Sequence, residues 1–160
     1  ISSDVKLVYP NRNITWKKEK LISYNDLLYS NRVGNQVLVK KKRLQEVGGF
    51  DESLVAAQDY DLWLRLSKIY GPIRNLNKTL QKVYIQHGAE QITKTKTQLD
   101  GYLCFYQKHK AEMNFAQRRY QLFNIRRVQG KVASLGEIFR WVPSSYWMKE
   151  IKRYFAARLL

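Results

Sequence analysis

The stretch Val47-Gly48-Gly49-Phe50-Asp51-Glu52-Ser53-Leu54, followed at once by Gln58-Asp59-Tyr60-Asp61-Leu62-Trp63-Leu64-Arg65, constrains this chain more than any other. Paired glycines allow a tight turn, and a short acidic loop then leads into a helix. The helix reads from its apolar positions at Leu62, Trp63, Leu66 and Ile69, which fall on one face. Asp59 therefore stands at a loop–helix junction, reachable from the loop while its helix is anchored in a core, and that address suits a catalytic base. The field at a helix N-terminus favours its ionised form. Capping the helix is the competing job for an aspartate in this place.

With 160 residues, 44% of them hydrophobic, the chain can bury one real core and carry an appended segment. Its formal net charge of +16 points to anionic partners: nucleic acid, anionic lipid headgroups or a phosphate-bearing substrate. The charge is uneven. Residues 1–100 hold 17 Lys and Arg against 10 Asp and Glu, whereas residues 101–160 hold 12 against 3. A single cysteine, Cys104, cannot form an internal disulfide and suits a reducing compartment. No apolar run approaches the roughly 20 residues of a membrane span. A start at Ile1, in mid-pattern and without a methionine, predicts a fragment.

Along the chain, Val5–Tyr9 alternates as a strand that stops at Pro10-Asn11, and Ile14–Trp16 reads as a short return strand. Asn25–Leu28 reads as a capped short helix, Gln36–Val39 as an apolar strand, and Lys41–Val47 as one or two helical turns stopped by Gly48. The helix from Asp59 ends at Gly71-Pro72. Ile73 and Leu76 then fit one short strand, and Leu80, Val83 and Ile85 the next. Beyond about residue 95 the pattern turns helical and basic, with Leu99, Leu103, Tyr106, Met113, Tyr120 and Phe123 near helical spacing. The division is thus a mixed α/β part over 1–95 and a basic helical extension over 96–160. His109, set among Lys108 and Lys110, reads as a surface residue.

The block from Gln36 to Tyr70, and more loosely residues 1–95, resembles the catalytic half of family-2 glycosyltransferases with the GT-A fold. The resemblance implies an α/β fold: the second half of a nucleotide-diphospho-sugar transferase domain, here with a helical C-terminal extension. It implies Asp59 as the base that deprotonates an acceptor hydroxyl in an inverting transfer. Gln58 stands where many members carry Glu. Asp51 and Glu52 belong to the turn that shapes the acceptor side, and Gln58, Trp63 and Arg65 join them as acceptor-side residues. Read from the residues alone, Trp63 is core and Arg65 pairs with a carboxylate or a substrate phosphate. His87, at a strand end before Gly88, matches a position where some relatives complete a divalent metal site.

Members of the family carry a nucleotide-binding unit and an Asp-x-Asp metal motif upstream. Here the only Asp-x-Asp is Asp59-Tyr60-Asp61, which opens the acceptor-side helix. The resemblance therefore implies that the donor half is missing and that this piece alone is inactive. In the complete enzyme a nucleotide-sugar donor, Mg²⁺ or Mn²⁺, and a glycan or lipid-linked acceptor are implied, in bacterial polysaccharide or lipopolysaccharide assembly in the cytoplasm.

The last helix, from Pro143, places Trp147, Ile151, Tyr154, Phe155 and Leu159 on one face and most of its charges elsewhere. That pattern fits docking on the inner face of an anionic membrane, packing on the body, or a homo-oligomer contact. The function class competing with a transferase is a non-catalytic basic binding module for nucleic acid or a membrane surface. No nucleic-acid motif supports the former.

Overall fold

A computed structural model describes residues 1–85, 96–156 and 158. A four-stranded sheet in the order β2-β1-β4-β3 carries the N-terminal part. β1 (Ser2–Val8) lies at its centre, antiparallel to β2 (Asn13–Trp16) and parallel to β4 (Ile73–Tyr84), while β3 (Leu21–Ile22) pairs antiparallel with the start of β4. A parallel pair needs a crossover, and three helices supply it: α1 (Tyr24–Tyr29), α2 (Lys41–Glu46) and α3 (Gln58–Tyr70). Helices α4 (Lys96–His109), α5 (Phe115–Val128), α6 (Leu135–Trp141) and α7 (Ser144–Ala156) follow.

Local chemistry explains several boundaries. Ser23 caps α1 reciprocally with Asp26, and Asn114 and Ser134 do the same for α5 and α6 with Gln117 and Glu137, each box satisfying two donors that the helix start leaves free. α2 stops where Gly48 and Gly49 take φ of 80° and 68°, and the Gly49 N–H closes the end on the Leu44 carbonyl at 2.8 Å. Buried in the central strand, Asp4 accepts from the Lys18 N–H at 2.9 Å and the Asn75 amide at 2.7 Å.

Two expectations for strands are corrected. Gln36–Val39 forms no strand. Its backbone meets only the chain start, through the Leu38 N–H to the Ile1 carbonyl at 2.8 Å and the Ile1 amine to the Leu38 carbonyl at 2.9 Å. Two short strands after Pro72 are instead the single β4, because Asn77 absorbs the irregularity at φ 53° and the register against β1 shifts beside it.

The first core gathers Ile22, Leu27, Val33, Tyr60, Leu62, Leu64 and Ile73 around α3. Phe105 of α4 and Met113 complete it, so packing runs across the compositional boundary at residue 95. The inward face of α4 is Gly101, Phe105 and His109, one step from the stripe read at Leu99, Leu103 and Tyr106. Phe105 stacks on Tyr60 at 3.9 Å between ring centroids, and His109 is buried, which corrects its surface reading. A second core joins Tyr120 and Phe123 to Ile138, Val142 and Tyr146. Trp147, Ile151 and Tyr154 pack against it, so the stripe that fits a membrane in sequence is turned onto the body. Phe155 is exposed and Leu159 lies outside the described residues. Among the described residues no helix is long and apolar enough to cross a membrane.

One charge organises the space between α3, α4 and the glycine turn. Asp61 is fully buried; it meets Arg65 at 2.7 Å, Lys108 at 2.7 Å and His109 Nε2 at 2.7 Å. Burial works against its charge, but these three partners hold its carboxyl well below the usual range. Lys108 also holds Asp51 at 2.6 Å, and with Ser53 it keeps that carboxyl near 2. Burial likewise works against the charge of Glu112, but Lys68, Tyr24 and His109 together hold its carboxyl at about 2.

Replacing Asp61 by Asn leaves Arg65 and Lys108 without their buried counter-charge and should cost about 3–5 kcal/mol in denaturant unfolding. Folded, the three carboxyls bind protons more weakly than at their ordinary values of 3.8 and 4.5. Stability is then fully present above those values and falls as the pH drops toward 2, since the unfolded chain takes up protons first. A melting temperature that stays flat from pH 5 to pH 2.5 would overturn this network. At Gly101 an added Cβ would stand 2.5 Å from the Ala56 Cβ and 2.7 Å from its backbone. Gly101→Ala should therefore destabilise by about 1–3 kcal/mol, read in the same unfolding experiment.

Candidate active site around Asp59

Asp59 sits in the first turn of α3, and the backbone just before it is strained. Ala57, the residue that starts the helix, adopts a left-handed conformation at φ 63° and ψ 20° with no side-chain cap. Non-glycine residues visit this region at a cost of about 1–2 kcal/mol. The surroundings hold it there. Gly101 of α4 presses on Ala56, and Gln58 Nε2 donates to the Leu54 carbonyl at 2.7 Å.

Asp59 is not the residue that caps the helix. One carboxylate oxygen accepts from the Tyr60 N–H at 2.7 Å, and the other faces the Asn31 amide at 3.5 Å. No cation pairs with it among the described residues. Burial raises its pKa above the ordinary value of 3.8, outweighing the hydrogen bonds from Tyr60 and Asn31. A carboxylate with few donors and a raised pKa has the basicity that proton abstraction needs.

The carboxylate lies between two depressions. On one side is an open hollow with Phe50, Asp51, Glu52, Leu54 and Gln58. On the other, a cavity of about 360 Å³ runs between β1 and α4, with Asn31, Trp16, Val83 and Tyr102 in its wall. The hollow has room for an acceptor hydroxyl to approach the base.

The other acceptor-side residues divide by their engagements. Glu52 is exposed at the hollow's rim. Asp51 is locked in its turn by the Ser53 N–H at 3.0 Å and hydroxyl at 2.6 Å, besides Lys108. Gln58 uses its amide N–H on Leu54 and lines the hollow. Trp63 is buried, donates its indole N–H to the Gly34 carbonyl at 2.8 Å and lines a further cavity with Val37 and Phe50. Arg65 bonds Asp61, the Val47 carbonyl, and the Gly49 carbonyl at 2.7 Å, which ties α3 to the glycine turn. His87 lies outside the described residues. Among those described, no three His, Cys, Asp or Glu side chains cluster in a way that would hold a metal.

Asn31, Gly101, Tyr102 and His109 escape a reading of the sequence because no local motif marks them. Only the i, i+4 spacing of Gly101, Phe105 and His109 hints that α4 turns this face inward.

Comparison with known proteins identifies the family. The family model described as glycosyltransferase-like family 2 matches residues 10–131. A stretch of 101 residues is 40% identical to WcaA of Escherichia coli (strain K12), whose name describes a colanic acid biosynthesis glycosyl transferase. The match covers 63% of this chain and 36% of that protein. No solved structure matches the chain. Because the family model runs from β2 through the glycine turn and α3 to α5 and so covers more than half of the chain, the chain belongs to the family-2-like glycosyltransferases.

Proposed function

We propose that this chain is the acceptor-side, base-bearing portion of an inverting glycosyltransferase. The enzyme moves a sugar from a nucleotide-sugar donor to a hydroxyl of a glycan or lipid-linked acceptor in bacterial surface polysaccharide assembly. The observation that carries the reading is Asp59: a carboxylate at a strained helix start, without a cationic partner among the described residues, opening on a hollow. The relative named for colanic acid biosynthesis supports the polysaccharide setting, and a cytoplasmic reaction follows from where nucleotide sugars are made.

In this mechanism Asp59 takes the proton of the acceptor hydroxyl as the oxygen attacks the anomeric carbon. The new C–O bond forms while the bond from that carbon to the donor phosphate breaks, and the nucleoside diphosphate leaves with the electron pair. One displacement from the opposite face inverts the anomeric centre. The Mg²⁺ or Mn²⁺ that the family resemblance implies is assigned to the donor-binding portion, and no step above depends on it.

The test is nucleoside diphosphate release by the intact protein that carries this chain, comparing wild type with Asp59→Asn. The nearly isosteric change should lower kcat by roughly 10²–10⁴-fold while circular dichroism stays unchanged. The wild-type rate should also rise with pH through a limb lying above 3.8, because burial raises the Asp59 pKa, and this limb should vanish in the variant. Equal turnover by both proteins would reduce Asp59 to a structural residue, and turnover by neither with any donor would favour the binding-module reading.

A further inference from the structure

The cavity beside Asp59 does not end at Tyr102. It shares Leu7, Trp16, Asn31, Tyr60 and Tyr102 with a larger one of about 750 Å³, whose far wall is built from α5 and α7. Its polar lining there is cationic: Arg127 from α5, Lys149 and Arg153 from α7, and Lys17 after β2. The volume lies in the range of ligand-binding clefts.

The charges of this wall are incompletely balanced. Glu150 is buried and accepts from the Tyr120 hydroxyl at 3.0 Å, Arg127 at 3.1 Å and Arg153 at 2.7 Å. Each arginine gives it only Nη1. One carboxylate thus faces two guanidinium groups, and among the described residues Lys17 and Lys149 have no acidic partner. Burial lowers the pKa of Lys149 and Arg153 lowers it further, while Glu150 raises it.

We propose that this end of the cleft is a subsite for a phosphate or diphosphate group carried by the acceptor, which it anchors while the acceptor's hydroxyl reaches Asp59. The proposal rests on the reading of Asp59 as the base. Phosphate chemistry fits because two partly free guanidinium groups and two ammonium groups line the same cavity and supply several charge-assisted donors to it. The same chemistry could come from the donor's diphosphate. The acceptor is favoured because the subsite and the base share one continuous wall and lie wholly within the portion that also holds the acceptor-side turn.

The experiment is equilibrium binding of inorganic pyrophosphate to the intact protein without added metal, in wild type, Lys17→Ala/Lys149→Ala and Asp59→Asn. The doubly substituted protein keeps Arg127, Arg153 and Glu150 and so keeps the packing of α5 on α7. Wild type should bind, the double variant should bind at least about tenfold more weakly, and Asp59→Asn should bind as well as wild type. Saturation with a nucleoside diphosphate should leave pyrophosphate binding intact. Displacement by the nucleoside diphosphate would assign the site to the donor and overturn the proposal, as would absent binding or an unchanged double variant. Loss of turnover in Asp59→Asn without pyrophosphate binding by wild type would keep the base and discard the subsite.

Discussion

Asp61 is the charge on which the geometry of this site depends. It is fully buried and lies within 2.7 Å of Arg65, Lys108 and His109. Arg65 extends the contact to the carbonyls of Val47 and Gly49, at the end of α2 where the helix leaves acceptors free. Lys108 extends it to Asp51. The glycine turn, the acidic loop, α3 and α4 are thereby fixed to one point. A hydrophobic replacement of such a cluster would pack as well or better, but it would not specify the position of a loop whose carbonyls are its ligands.

Asp59 and Asp61 show how one helix makes two different acids. Two residues apart, they are separated by roughly 200° around the helix axis, so they face opposite surroundings. Asp61 turns inward to three cationic or hydrogen-bonding partners, and its pKa falls. Asp59 turns to a cleft with a backbone N–H and an amide for company, and its pKa rises. Environments of this kind push the pKa values of neighbouring acids apart. The left-handed Ala57 and the close approach of Gly101 to Ala56 then fix the backbone from which Asp59 projects.

The parts of the fold that were legible in the sequence are those determined within a few residues. The cap at Ser23 and Asp26, the stop at Gly48 and the apolar face of α3 each follow from side chains a turn apart. Gln36–Val39 has strand composition but, among the described residues, bonds to the chain start only at Leu38 and joins no sheet, so its apolar pattern alone misleads. The single β4 depends on Asn77 accepting a left-handed backbone rather than ending the strand. His109 looked exposed between two lysines, although only a distant Asp61 decides that it is buried. Asp59 and its turn could be located, but not the wall facing them, because α4 and α5 are placed by pairings such as Gln121 with the Tyr60 hydroxyl at 2.8 Å.

The basic extension is then more than a solvated surface. Its acids number 3 over residues 101–160, and all are engaged. Glu112 holds Lys68, Glu137 holds Arg126, and Glu150 holds Arg127 and Arg153. Each also joins elements: Glu137 ties α6 to α5, and Glu150 ties α7 to α5. Once these pairings are made, none of the three carboxylates is left for Lys149. The surplus of positive charge therefore stays with the helices, and α5 and α7 bring part of it to a cleft that shares Leu7, Trp16, Asn31, Tyr60 and Tyr102 with the cavity beside Asp59. A wall assembled this way raises the local concentration of an anionic group.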